Sequence, residues 1–127
     1  MAASAYLSDA LITAYFVGTK YISEHTGPPG TAGDNEVAAG VDANYARQSA
    51  TMAKSLDGAL TKATNSADVS FPAAAAGSSY SVTHLGVWDA ATGGNFLAAI
   101  PLDGAALPVV AGTINTFGTG NIVVLGD

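Results

Sequence analysis

Two periods of apolar and polar positions run through this chain, one helical and one of two residues. From Ala2 to Val17, Leu7, Leu11, Ile12, Tyr15 and Phe16 recur at helical spacing and form one apolar stripe. Ser8 or Ser4 is placed to cap this helix, Asp9 suits its first turn, and Gly18 ends it. Beyond Gly18 the period shortens. Lys20 to Thr26 reads as a short strand, followed by a long Pro/Gly-rich loop or arm, Gly27 to Gly40, with Asp34-Asn35-Glu36 inside it. Asn44 to Lys54, Ala59 to Ala63 and Ala67 to Pro72 read as strands, with a hairpin turn at Asp57-Gly58 and a further turn at Asn65-Ser66. Ala73 to Gly77 lies between Pro72 and a Gly-Ser-Ser cluster and reads as loop.

The strongest strand–turn–strand signal runs from Thr83 to Leu97. Val82, His84, Gly86 and Trp88 fall on one face of an extended run, and Thr83, Leu85, Val87 and Asp89 on the other. Asp89 is placed to accept backbone N–H bonds from the turn, and Gly93-Gly94 supply the positive φ that a tight reversal needs. Asn95 to Ile100 then returns as a strand. Ala106 to Phe117 reads as a further strand, Gly118-Thr119-Gly120 as a turn and Asn121 to Leu125 as the closing strand. Short strands at such spacing predict a mainly β fold, a single β-sandwich or barrel-like domain. The organisation expected is an N-terminal α-helix over 1–18 and one β domain over 19–127, with loop 27–40 extended from it.

Composition narrows the partners. Four basic residues face ten acidic ones, a net charge of -6. No basic patch for phosphates can be assembled, so nucleic acid is not expected, nor an anionic membrane surface. Charged residues make up 11% of the chain, against a typical ~25%. Exposed positions therefore fall largely to Ala, Gly, Ser, Thr and Asn, a surface that is cheap to desolvate and suits packed assembly. No apolar run approaches the ~20 residues of a bilayer span, and the first residues lack the basic start of a signal peptide. Cysteine is absent, which removes disulfide and thiolate chemistry.

Little in the sequence points to catalysis. His25 and His84 are the two imidazoles, with Glu24 and Asp89 as carboxylate neighbours, but their spacing is not that of a metal site. Asp34 and Glu36 lack the twelve-residue calcium-loop pattern. Ser78 and Ser79 lie in no nucleophile-elbow pattern. No catalytic residue, cofactor or metal ligand is assigned. The residues singled out are structural: Trp88 as an aromatic anchor, His84 bonded to a strand or loop beside it, and Asp89, Gly93 and Gly94 shaping the turn. Arg47, the sole arginine, is expected to pair with Glu36 and tie the long loop to the following strand, with Asp89 as the competing partner. Trp88 with Tyr45, Tyr80 and Phe96 also offers a sugar-stacking platform, the basis of an alternative carbohydrate-binding reading.

A set of motifs runs in order along the chain: His25-Thr26, Pro29-Gly30, Asn35-Glu36-Val37, Tyr45-Ala46-Arg47-Gln48, Val69-Ser70-Phe71 and the whole of Thr83 to Leu97. In these the chain resembles a family of small tailed-phage virion proteins often labelled tail fibre proteins. Glu24 stands where that pattern has leucine, Pro28-Pro29 where it has Asp-Pro, and only Gly112-Thr113 matches near the C-terminus. The resemblance implies a non-enzymatic structural protein of the virion, at the capsid surface or the tail, made in the bacterial cytoplasm. A fibre shaft needs repeats or a coiled coil, and neither is present. The expectation drawn from that is a capsid decoration or cement protein, with a small tail-fibre or tail-tip component as the alternative. Its partners would be the major capsid protein or tail proteins. Copies of the chain would form a homo-oligomer, with a trimer favoured, through Leu7, Leu11, Tyr15 and Phe16.

Overall fold

The structure, a computed structural model, describes residues 4–126; the Ala2 and Ala3 of the expected helix, with Met1 and Asp127, lie outside the described residues. Helix α1 spans Ala5–Tyr15. Ten strands follow: β1 (Gly18–His25), β2 (Gln48–Asp57), β3 (Leu60–Asn65), β4 (Val69–Ser70), β5 (Ser79–Val82), β6 (His84–Trp88), β7 (Phe96–Pro101), β8 (Leu107–Val110), β9 (Thr116–Phe117) and β10 (Val123–Leu125). The fold is mainly β, as the period-two pattern predicts.

Ser4 is the cap: its hydroxyl accepts the Leu7 N–H at 3.1 Å. Ser8 is instead fully buried on the sheet, where its Oγ accepts the Thr61 N–H at 2.9 Å. Asp9 lies beyond the first turn and meets Lys54 at 3.0 Å. Ser8 and Ile12, one turn apart, are the buried residues of α1. The expected single stripe is therefore split. Leu7, Leu11 and Tyr15 stay exposed to one side of the docked line, while Phe16, assigned above to an assembly interface, packs against the protein's own core. Gly18, at φ +98°, turns the chain directly from the helix into β1.

The main sheet has the order β10-β3-β2-β1-β6-β7 and is antiparallel throughout. Asp57 pairs with Leu60 across a loop of Gly58 and Ala59, in which only Gly58 has positive φ, as a type II′ reversal requires. The two edge strands, β7 and β10, face each other across a slot of about 280 Å³ lined by Ala98 to Pro101 and Val123 to Leu125. The sheet thus curls toward a barrel without closing. Two small sheets, β4–β9 and β5–β8, complete the fold. The core takes Ile12, Ile22, Met52, Phe71, Leu85 and Val109 from helix, main sheet and small sheets alike.

Several expected strands are shorter or broken. Asn44 to Arg47 yields to a loop, so Tyr45 and Arg47 precede β2 rather than alternate within it. The run through Val82 and His84 breaks at Thr83, whose neighbours enter different sheets. Ala106 to Phe117 splits into β8 and β9, because Gly112, at φ +85°, bends the chain between two small sheets. The reversal after Trp88 is a loop from Asp89 to Asn95 rather than a tight turn. Burial also departs from simple alternation in β6, where Leu85, Gly86, Val87 and Trp88 are all buried. Leu85 and Val87 join the core, while Gly86 and Trp88 lie on the opposite face beneath the long loop.

The split stripe on α1 makes a paired prediction. Ile12→Ala should destabilise the fold by about 3 kcal/mol, because the residue is 1% exposed against the sheet. Leu11→Ala, on the free side, should cost about 0.5 kcal/mol or less. Urea unfolding of the two variants checks it, and equal losses would mean that the wrong helix face is assigned.

Candidate functional site

The loop from Gly27 to Gly40 is folded back over β1 and β6 instead of reaching outward. The Pro29 carbonyl accepts the N–H groups of Gly33 at 3.0 Å and Asp34 at 2.8 Å. Asn35 takes φ 64°, a conformation its amide stabilises by donating to the Pro28 carbonyl at 2.9 Å. Thr26 N–H then donates to the Asn35 carbonyl, and Glu36 forms a β-bridge with His25. Gly33 presses flat on Trp88. A Cβ there would collide with the indole, and φ is +80° besides. Gly86 has the same role on the strand, where a side chain would collide with Ser23 and His25.

Beneath the loop runs a closed chain of hydrogen bonds. The Trp88 indole N–H donates to Ser23 Oγ at 2.9 Å, and Ser23 Oγ lies 2.6 Å from His25 Nε2. His25 Nδ1 donates to the Asp34 carbonyl at 2.7 Å. A carbonyl only accepts, so Nδ1 carries the proton and Nε2 accepts from Ser23. Burial holds the His25 pKa below its usual value, outweighing the Asp34 bond and the nearby Glu36 charge. Ser23 and His25 thus have the spacing of a nucleophile and its base, but both are 0% exposed. Phe96 meets the rings of His25 and Trp88 edge-on at 6.2 and 5.2 Å. Ser23 Oγ is closed off from solvent, and the bonds of the pair tie the loop to the sheet.

Arg47 closes the site from above. Its Nε and Nη2 donate to the two oxygens of Glu36, each at 3.0 Å, the bidentate pair expected from the sequence. Nη1 donates to the carbonyls of Ala90 at 3.0 Å and Gly93 at 2.8 Å, and the guanidinium lies 3.6 Å above the Trp88 ring. Tyr45 adds a third bond to Glu36 at 2.7 Å and accepts the Glu24 N–H at 3.0 Å. Burial alone would raise the Glu36 pKa, but the bonds from Arg47 and Tyr45 outweigh it and hold the carboxyl below the usual range. Burial and the Glu36 bond push the Tyr45 hydroxyl well up. A shallow depression of about 320 Å³ lies beside the pair. The Glu36, Tyr45 and Arg47 side chains in its wall are already bonded to one another.

Two further buried carboxyls sit below. Asp42 accepts the N–H groups of Asn44 and Ala75, each at 3.0 Å, and the Tyr80 hydroxyl at 2.8 Å. Glu24 accepts the Asn115 amide at 2.6 Å.

The residues singled out in the sequence land unevenly. Asp89 does not compete for Arg47; it binds the N–H and side-chain amide of Asn95 at 2.7 and 2.8 Å and so shapes its own loop. Gly93 and Gly94 take φ 61° and 73°, and Gly94 leaves room for the Asp89 carboxyl. His84 turns to its neighbour Thr83, 2.8 Å away, and stays half-buried rather than joining Trp88. Ser23, His25, Gly33 and Tyr45 were missed as partners. The available signal was Ser23 and His25 standing two apart on one strand face. Among the described residues, no group of three or more His, Asp or Glu converges as a metal site. Asp34 and Glu36 do not converge either, since Glu36 is taken by Arg47 and Tyr45.

The family model described as Podophage GP4 fiber I protein gp80 matches this chain over residues 2–125. No curated protein matches it.

Two outcomes follow from the site. Arg47→Ala should destabilise the protein by about 3 kcal/mol, since the pair is mostly buried and Glu36 would be left uncompensated. Trp88 emission should shift to the red, and Arg47→Lys should recover less than half of the loss because it cannot bind both oxygens. Thermal melts with fluorescence read both. The folded-state pKa values of His25 and Glu36 are depressed, so their contribution is fully present above the unfolded values and is lost on acidification. Stability measured by urea in a Glu24→Gln background, which removes the opposing titration of that buried acid, should fall as pH drops below about 6.5 and fall further below about 4.5. A flat profile in that background between pH 6.5 and 4.5 would contradict a neutral His25.

Proposed function

The chain belongs to the Podophage GP4 fiber I protein gp80 family, whose model covers nearly its whole length, and from that premise we propose that it is a compact, non-enzymatic subunit of the tail-fibre apparatus. The family match is the observation that carries this reading. It favours the fibre alternative over the capsid-decoration role expected from the missing shaft, because a domain without a shaft serves equally at the base or tip of a fibre. No helix among the described residues is long and apolar enough to cross a membrane.

A carbohydrate-binding role through Trp88 has little support. The indole is 8% exposed, with Arg47 above one face and Gly33 against the ring. Tyr45 stacks on Phe71 at 6.1 Å. Neither ring offers a free face for a sugar.

The subunit works as a homo-oligomer, with a trimer as the favoured state. Leu7, Leu11 and Tyr15 form the contact, with Tyr6, 85% exposed, nearby. The charge in α1 is Asp9, already paired with Lys54. Two copies of an acidic chain can therefore meet here without facing like charges, and little must be desolvated.

Gold-labelled antibody against the chain should decorate the tails of intact virions in electron microscopy. Label spread over the shell would overturn the fibre assignment. Light scattering should give a multiple of the 12.5 kDa chain, reduced to a single chain by Leu11→Glu with the circular dichroism unchanged. A wild-type monomer would remove the oligomer.

A further inference from the structure

Among the described residues, Glu24 is a buried acid without a counter-ion. It is 1% exposed, and its side-chain partner is the neutral amide of Asn115 at 2.6 Å. The groups facing it are of its own sign or uncharged. Asp42 and Tyr45 come from the loop before β2, Tyr80 from β5 and Asn115 from the segment before β9. Arg47 is committed to Glu36 and to the carbonyls of Ala90 and Gly93. Asp42 differs sharply: it accepts two backbone N–H groups and a hydroxyl, so it keeps its charge, and its pKa lies below the usual value despite burial. One amide bond does not offset the loss of water around a carboxylate beside a second negative charge.

What Glu24 holds is well defined. The Asn115 carbonyl accepts the Phe71 N–H at 2.9 Å, Thr113 accepts from Ala74 at 3.0 Å, and Ala74 accepts from Gly112 at 2.8 Å. Residues 112–115 thus carry the backbone bonds that join the 71–74 stretch to the C-terminal part of the chain. The side chain of Asn115 ties that same segment to β1.

We propose that Glu24 is a proton-operated latch: protonated, it clamps residues 112–115 to β1, and when the proton leaves, that segment loosens while the main sheet stays paired. Burial raises its pKa to about 7, the main cause, with Asp42 adding to the rise and the Asn115 bond opposing it. The folded value lies above the unfolded one, so the stabilising contribution is present below about pH 4.5 and is lost as pH rises through about 7. This is opposite in sign to the acid-side loss from His25 and Glu36, and it is independent of the fibre assignment.

Amide exchange on the full chain tests the latch. Protection factors, corrected for intrinsic rates, should fall about tenfold at Phe71, Ala74 and Gly112 between pH 5.5 and 8.5, while those in β1 and β2 hold. Glu24→Gln keeps an acceptor for Asn115 and cannot ionise, so it should stay at the low-pH protection throughout. Carboxyl-carbon NMR of the wild type gives a second reading, with an expected midpoint near 7. A midpoint in the ordinary glutamate range, or an undiminished pH effect in Glu24→Gln, would overturn the proposal.

Discussion

The one arginine holds this fold's second layer in place. Arg47 sits between Glu36, the carbonyls of Ala90 and Gly93 and the face of Trp88, and so joins the long loop, the β6–β7 connection and the sheet at a single group. A bidentate ion pair is worth little at a free surface but much when its partners are mostly enclosed, as here. The planar guanidinium can bind a carboxylate at its edge and an indole with its face, a combination that a lysine cannot reproduce. Remove that plate and Glu36, Tyr45 and Trp88 each lose a neighbour at once.

The clamp matters because β1 and β6 are buried on both faces by unlike means. One face has an ordinary apolar core, in which Ile22, Leu85 and Val87 meet Ile12 and Phe71. The other is covered by a loop rich in Pro and Gly, which has few large side chains to contribute. Its cover is made of backbone: Gly33 flat on the indole, and the Asp34 carbonyl on His25. Backbone cover brings polar groups that must be satisfied. The chain from Trp88 through Ser23 and His25 to Asp34 satisfies them with one proton at each step. That arrangement holds a serine and a histidine 2.6 Å apart in a place closed off from solvent.

A small virion subunit must keep its shape on scant charge, and here the buried or half-buried carboxyls lie where loops meet the sheet. Glu36, Asp42 and Glu24 each receive hydrogen bonds from a different loop or strand. They act as staples in a chain with no cysteine. The outer face of α1, by contrast, is left apolar and nearly uncharged, the sort of surface that a neighbouring subunit can cover cheaply.

By itself the sequence determined the fold class, the helix at the start, the β2–β3 hairpin and the β6–β7 return, because each rests on a local period or a turn residue that acts within a few positions. It also carried the Arg47–Glu36 pair, legible because the sole arginine follows the loop that holds Glu36 and its guanidinium can bind a carboxylate with two bonds. The tertiary structure alone decided which side of α1 docks, since Ser8 rather than a leucine fills the space beside Thr61 and the small hydroxyl lets the helix approach. It decided that Trp88 faces a loop rather than the core, that His25 rather than His84 is the buried histidine, and that the sheet curls without closing. Those outcomes depend on which distant segments meet. A one-dimensional pattern specifies the side of a strand on which a residue lies, but not what arrives to cover that side.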